Sequence, residues 1–213
     1  MRYLAIETAY DICGVAVVSD KGVEAIDDRP APRQHNEILA PAVGQLLRGM
    51  DTQFKDLDGI ALSAGPGSYT GLRVGMSYAK GLAYGTGLPI IPVPSLPSLL
   101  QGEKLISPDW VAAWSHGGNL YVMQRVKGSH WGEVQFMSWE NFVGLAQADT
   151  VAGYQLERFN PEASIDYVRT CPSAVKVGKF ALERQIEPEA DIAKLIPYYH
   201  PEYKTRLTHH ARS

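Results

Sequence analysis

Cysteine is scarce in this 213-residue sequence: only Cys13 and Cys171 occur, and no Cys-x-x-Cys pair is present. A zinc ribbon is excluded, and two reduced thiols are the simplest reading. None of the six histidines (His35, His116, His130, His200, His209, His210) stands four residues from another. No helical pair of imidazoles can therefore grip a metal, and each histidine reads as a surface or satisfied core residue. No apolar run approaches the ~20 residues of a membrane span. An acid, Glu7, arrives before any signal-peptide core develops. The net charge of −3 offers no basic footprint for autonomous nucleic-acid binding. Together these absences predict a soluble cytoplasmic protein without a zinc ribbon or a helical histidine metal site. With 45% hydrophobic and 20% charged residues, the chain has the material for a packed core. Its length fits one large domain or two of about 100 residues.

What the sequence does have is the run Gly65-Pro66-Gly67-Ser68-Tyr69-Thr70-Gly71-Leu72-Arg73-Val74-Gly75. Before it, residues 57–63 read as a buried strand. After it, Leu72 to Tyr84 reads as a helix with small residues on one face. A glycine loop between a strand and a helix gathers free N–H groups at the positive end of the helix dipole, which suits an anion. It is equally a tight turn. No Gly-Lys-Ser/Thr follows at P-loop spacing, and Thr70 holds the place of the third glycine of a dinucleotide fingerprint. Ser68 or Thr70 is placed to cap the helix, so a turn and cap outweigh a phosphate cradle.

The rest of the chain reads as alternating strands and helices. Residues 3–6, 14–19 and 22–26 are close enough to form an antiparallel meander. A helix follows from about Asn36 to Arg48, with Pro41 near its start. Its apolar stripe, Ile38, Leu39, Ala42, Val43, Leu46, Leu47 and Met50, is wider than one buried face needs. Either both flanks are core or one meets a partner. A strand at 88–93, with Pro89 and Pro92 marking an edge or the strand's ends, leads to a short helix around 94–100. Strands at 109–115, 120–126 and 133–137, a helix from Trp139 to Gln147 capped by Ser138, a strand at 150–153 and a helix from Ser173 to Gln185 repeat the theme. The pattern predicts two related α/β halves.

No complete catalytic set emerges. Ser63 and Ser68 lack the Gly-x-Ser-x-Gly elbow. Glu7 and Asp11, in the turn after the first strand, are the best acids for a magnesium–water cluster, or for capping that turn's own amides.

Several stretches, in order, resemble the TsaB (YeaZ) family: Ile6-Glu7-Thr8, Gly14-Val15-Ala16-Val17, His35-Asn36-Glu37-Ile38-Leu39-Ala40-Pro41, the glycine run, Ala79-Lys80-Gly81-Leu82-Ala83 and Val93-Pro94-Ser95-Leu96. The resemblance covers roughly the first hundred residues. It implies the two-lobed actin/Hsp70/sugar-kinase (ribonuclease H-like) fold, a duplicated βββαβαβα with a reduced second lobe. The lobes expected are 1–98, with the partner-binding helices, and 99–213. It further implies a non-catalytic subunit that pairs with a TsaD-like ligase and is joined by a TsaE-like ATPase. That machinery forms N6-threonylcarbamoyladenosine at position 37 of tRNAs reading ANN codons. On this reading ATP and a metal belong to the partner subunits, none is required by this chain, and tRNA is met only through the complex. Where relatives carry Asp-Ala-Arg-x-Gly-Glu-x-Tyr, this chain has Trp114-Ser115-His116-Gly117-Gly118-Asn119-Leu120-Tyr121, keeping only Gly118 and Tyr121.

The contact region expected from this reading is Leu39, Val43, Leu46, Leu47, Met76 and Leu82, packing as a four-helix bundle with the partner or, when the chain is alone, as a homodimer. An ATP-dependent phosphotransferase of the same fold would instead use Glu7, Asp11, Gly65, Gly67 and Ser68 around a nucleotide. A glycoprotease-like peptidase is the third alternative, and the missing histidine pair argues against it.

Overall fold

A computed structural model of the chain describes residues 1–102, 107–126, 130–159 and 165–199. His200, His209 and His210 lie outside the described residues. The chain divides into two compact units, 1–101 with 172–197, and 102–171 with 198–213.

In the first unit, β1 (Arg2–Glu7), β2 (Ile12–Ser19) and β3 (Gly22–Pro30) form the expected meander. They are followed by α1 (His35–Gly49), β4 (Gly59–Ser63), α2 (Tyr69–Thr86), β5 (Ile90–Val93) and the short α3 (Ser95–Ser98). The sheet order is β3-β2-β1-β4-β5, with β1 antiparallel to β2 and parallel to β4. The proline-bearing β5 is an edge strand, as read from the sequence. The central strands are apolar at nearly every position because both sheet faces are covered. Leu4, Ile6, Val15, Val17, Ile60 and Leu62 share one cluster with Leu39, Val43 and Leu47 of α1 and Met76, Ala79 and Ala83 of α2. Tyr3, Ala5, Ala16, Val18 and Ala61 face the other way.

That second face is covered by α5 (Ala174–Arg184), through Ala174, Val177, Phe180 and Ala181. A division at residue 98 puts this helix in the second lobe, whereas the structure packs it on β1 and β2. The reason is complementarity. The face is lined by small side chains, and α5 comes so close that a Cβ on Gly178 would overlap the Val18 side chain. Position in the chain carries no information about which sheet a helix covers.

In the second unit, β6 (Trp110–Trp114), β7 (Asn119–Gln124), β8 (Gln135–Ser138), α4 (Trp139–Ala146), β9 (Val151–Tyr154) and β10 (Tyr167–Arg169) build a sheet of order β10-β9-β6-β7-β8. Counted from β6, this is the order of the first sheet. β6 runs antiparallel to β7 and parallel to β9, as β1 does to β2 and β4. The duplicated α/β architecture of the actin/sugar-kinase type is therefore present, and its second copy is the reduced one. Among the described residues between β9 and β10 there is a 3-10 turn, Leu156–Arg158, in the place that α2 takes between β4 and β5. An aromatic core compensates: Trp110 meets Phe142 edge-on at 5.6 Å, and Trp139 stacks on Phe159 at 4.7 Å. No helix among the described residues is long and apolar enough to cross a membrane.

Candidate functional site

The turn from Thr8 to Asp11, between β1 and β2, is held from four directions. Ser68 donates its backbone N–H to the Ala9 carbonyl at 2.7 Å. Ala31 donates to the Asp11 carbonyl at 2.8 Å. His35, the first residue of α1, is buried, with Nε2 2.9 Å from the Tyr10 carbonyl and 3.2 Å from that of Ile12. Both partners are acceptors, so Nε2 carries the proton. Beneath, the Ser63 hydroxyl accepts from the Thr8 N–H at 3.2 Å and donates to Glu7 Oε1 at 3.1 Å. Glu7 Oε1 also accepts from the Ala9 N–H at 2.5 Å.

Glu7 is fully enclosed, and burial pushes its carboxyl up to about 8, against the opposing pull of the Ala9 amide and the Ser63 hydroxyl. At neutral pH it is mostly a neutral acid inside the turn, a poor anchor for a magnesium–water cluster. Asp28, on β3, is also raised by burial; it leans over Gly14 and accepts from the Ala174 N–H at 3.1 Å, capping α5.

The glycines of the run serve close approach. A Cβ on Gly67 would overlap the Ala9 carbonyl oxygen, one on Gly71 the Thr8 carbonyl oxygen, and one on Gly75 the Thr8 hydroxyl oxygen. Gly71 and Gly75 lie four residues apart on one side of α2, and Gly67 stands just before its cap. Of the two caps the sequence offers, Ser68 is the one used, its Oγ accepting from the Gly71 N–H at 3.3 Å, and the helix begins at Tyr69 rather than at Leu72. Gly65, at φ 111°, exchanges hydrogen bonds with Ser95: its N–H donates to Ser95 Oγ at 2.9 Å and its carbonyl accepts from the Ser95 N–H at 2.8 Å. Among the residues read as nucleotide ligands, the amides of Gly65 and Ser68 are thus spent within the chain, and Gly67 abuts Ala9. Asp11 is half-buried at the end of the same turn.

The residues expected to meet a partner divide sharply. Leu39, Val43, Leu47 and Met76 are at most 5% exposed and belong to the chain's own core. The α1/α2 side of the sheet uses all four to cover its own strands, which leaves them little surface to offer a partner. Leu46 and Leu82 are partly buried at its margin. The ridges that do face outward carry Ala40 and Pro41 on α1, and Ser77, Gly81 and Tyr84 on α2. The wide stripe on α1 is mostly core on both flanks. His35 is a satisfied core histidine, one of the two readings its sequence allows, whereas the parts that Ser63 and Thr8 play in the turn have no sign in the sequence. The His35-Asn36-Glu37 signature was the available signal, and its meaning needs the fold.

In the second unit the turn equivalent to Thr8–Asp11 joins β6 to β7. Trp114 ends β6 where Glu7 ends β1, with the Arg158 guanidinium 4.4 Å above its ring. His116 stacks on Phe136 at 5.5 Å, and its Nδ1 lies 3.0 Å from Ser115 Oγ. Among the described residues no group of three or more His, Cys, Asp or Glu side chains is placed to hold a metal ion.

Comparison with known proteins agrees with this geometry. Residues 28–197 match the family model described as TsaD, tRNA N6-adenosine threonylcarbamoyltransferase. The chain is 35% identical over 140 residues to the tRNA threonylcarbamoyladenosine biosynthesis protein TsaB of Escherichia coli (strain K12), a match covering 66% of this chain and 55% of that protein. It is 38% identical over 112 residues to the TsaB protein of Bacillus subtilis (strain 168), covering 51% and 49%. The chain spans about half the length of these curated relatives. Among solved structures, YeaZ from Pseudomonas aeruginosa superposes with a TM-score of 0.75 at 22% identity, covering 93% of this chain and 99% of that one, which establishes the shared fold. The chain therefore belongs to the family that the TsaD model describes and, within it, to the TsaB (YeaZ) family.

Proposed function

We propose that this chain supports formation of N6-threonylcarbamoyladenosine at position 37 of tRNAs reading ANN codons, in the cytoplasm, as a non-catalytic subunit that pairs with a TsaD-like ligase. One observation carries the non-catalytic part. The glycine run, where a nucleotide phosphate would be cradled, is closed by the chain's own Thr8–Ala9 turn, with the Ser68 amide bonded to Ala9 and the Gly65 amide to Ser95. The Glu7 carboxyl in that turn is buried, and burial raises it to about 8. Family membership supplies the tRNA-modification part, because the TsaB relatives carry that role in their names.

On this reading ATP and metal reside on the ligase and on a TsaE-like ATPase, and tRNA is engaged through the assembly. The contact with the ligase is made by the outer ridges of α1 and α2, with Ala40, Ser77 and Gly81 admitting close helix approach and Leu46 and Leu82 at the margin. Co-purification with a tagged TsaD-like ligase tests it: the wild-type chain is retained, and Ala40→Glu with Gly81→Glu is lost while keeping its circular dichroism spectrum. Retention of that folded variant at wild-type level removes the ridges from the interface. Calorimetric titration of the chain alone with Mg-ATP separates the phosphotransferase alternative, which predicts saturable binding that Gly67→Ala abolishes.

A further inference from the structure

The sequence after α5 runs around the edge of the first sheet. Ile186 still packs with the α5-side cluster. Three residues on, the Glu189 N–H donates to the Ile90 carbonyl at 2.9 Å, on β5, the edge strand. A turn then forms at Asp191, whose Oδ1 accepts from the Ala193 N–H at 3.1 Å and whose carbonyl accepts from the N–H groups of Lys194 and Leu195. That turn delivers Ile192 and Leu195 into the cluster on the opposite face, which holds Ala79, Ala83 and Leu88. Leu195 is only 8% exposed there. From α2, Lys80 Nζ reaches across to donate to the Ala193 carbonyl at 3.2 Å. Lys80 belongs to the Ala79–Ala83 signature of the sequence, and this bond is its contact among the described residues.

We propose that residues 186–197 are a strap that seats α2 on the first sheet, fastened by Leu195 and Lys80, and that releasing it weakens pairing through α2. Two observations argue that the strap opens apart from the unit it wraps. Its hold comes from Ile192 and Leu195, with Pro197 also buried, from one lysine contact and from one backbone bond to a four-residue edge strand. Helix α5, by contrast, is anchored separately by its Ser173 cap, by Asp28 and by its own buried face. Loss of Leu195 from beneath α2 uncovers the Ala79–Ala83 side and leaves the helix free to shift against β4 and β5. Lys80 is a positioning residue in this scheme, acting on α2 through the strap. The pairing half of the inference rests on the function proposed above; the opening half does not.

Amide hydrogen exchange on the full chain tests it. Leu195→Ser is expected to speed exchange of the Glu189 amide by about tenfold or more, with the α5 amides from Val177 to Ala181 and the β1 amides unmoved. Lys80→Met gives a smaller increase at the same amide, and Lys80→Arg restores protection. Affinity for the TsaD-like ligase falls by about tenfold in Leu195→Ser and tracks Glu189 exchange across the three variants. If Leu195→Ser fails to fold, the Lys80 pair carries the test. Glu189, α2 and α5 amides accelerating together would overturn the strap as a separately opening element. Unchanged ligase affinity in a variant with a released strap would overturn its link to pairing. A wild-type chain that binds no ligase would defeat the proposed function instead, and the exchange measurement would still decide whether the strap opens.

Discussion

The two units share a strand order and differ in how the end of the first strand is finished. In the first, an 18-residue helix, α2, drives its glycine side onto the β1–β2 turn. In the second, a 3-10 turn of three residues follows β9, and the equivalent turn carries Trp114 under Arg158. The first end is sealed by backbone contacts that tolerate no Cβ. The second is filled by aromatic side chains, which pack adaptably and leave polar edges. Duplication of a fold therefore does not duplicate a site: what the helix after the fourth strand does decides whether the end is closed.

The comparison is open to direct attack, because all four tryptophans (Trp110, Trp114, Trp131, Trp139) lie in residues 102–171. Tryptophan fluorescence reads the second unit, and far-ultraviolet circular dichroism reads both. The largest effect expected is from Phe142→Ala, which removes the centre of the second unit's aromatic core. It should cost about 3–5 kcal/mol, seen as a lower denaturant midpoint in the fluorescence transition. Next, Gly71→Ala places a methyl group on the Thr8 carbonyl. It should cost about 2–4 kcal/mol, with the loss in the circular dichroism transition attributable to the first unit. A neutral outcome would mean that the helix does not sit tightly on the turn.

The third effect depends on pH. Burial raises Glu7 from 4.5 to about 8 in the folded chain. Between those values the folded state keeps a proton that the unfolded state has shed. Its contribution is whole below 4.5 and is lost as pH rises through 8. First-unit stability should thus fall from pH 5 to pH 8 by at most about 1.4 kcal/mol per unit, and Glu7→Gln should remove that slope. Trp114, at the equivalent place, adds no such slope to the second unit. The smallest effect is a gain. Gly144, within α4, has open space where its Cβ would be. Gly144→Ala should stabilise the second unit by about 0.5–1 kcal/mol.

Much of this was legible in the sequence. The meander, the Ser68 cap, the edge character of β5 and the doubling follow from periodicity, capping and proline placement, all of which are local. Four features were not legible, each for a physical reason. Leu39, Val43, Leu47 and Met76 read as surplus apolar surface because the width of a stripe does not reveal how much sheet it must cover. The place of α5 on the first sheet depends on a face shape formed by β1, β2, β4 and β5, all far earlier in the chain. β10 has only three residues and no alternation to detect. Sequence leaves Glu7 open between a magnesium–water cluster and a cap on its own turn; the Ala9 N–H bond makes it the cap, and its full enclosure by Ser63, Ala9 and the glycine run arises only in the fold.

The central claim is that the chain serves tRNA modification by pairing rather than by chemistry in its own glycine run. Its most direct test is the N6-threonylcarbamoyladenosine content of bulk tRNA, by mass spectrometry of nucleosides, in bacterial cells depleted of their own TsaB and supplied with this chain. The account predicts that the wild-type chain and a Ser68→Ala variant, which removes only the helix cap, both restore the nucleoside. It also predicts that the folded Ala40→Glu, Gly81→Glu variant does not. Full restoration by that ridge variant, or failure of the well-expressed wild-type chain to restore any, would contradict it.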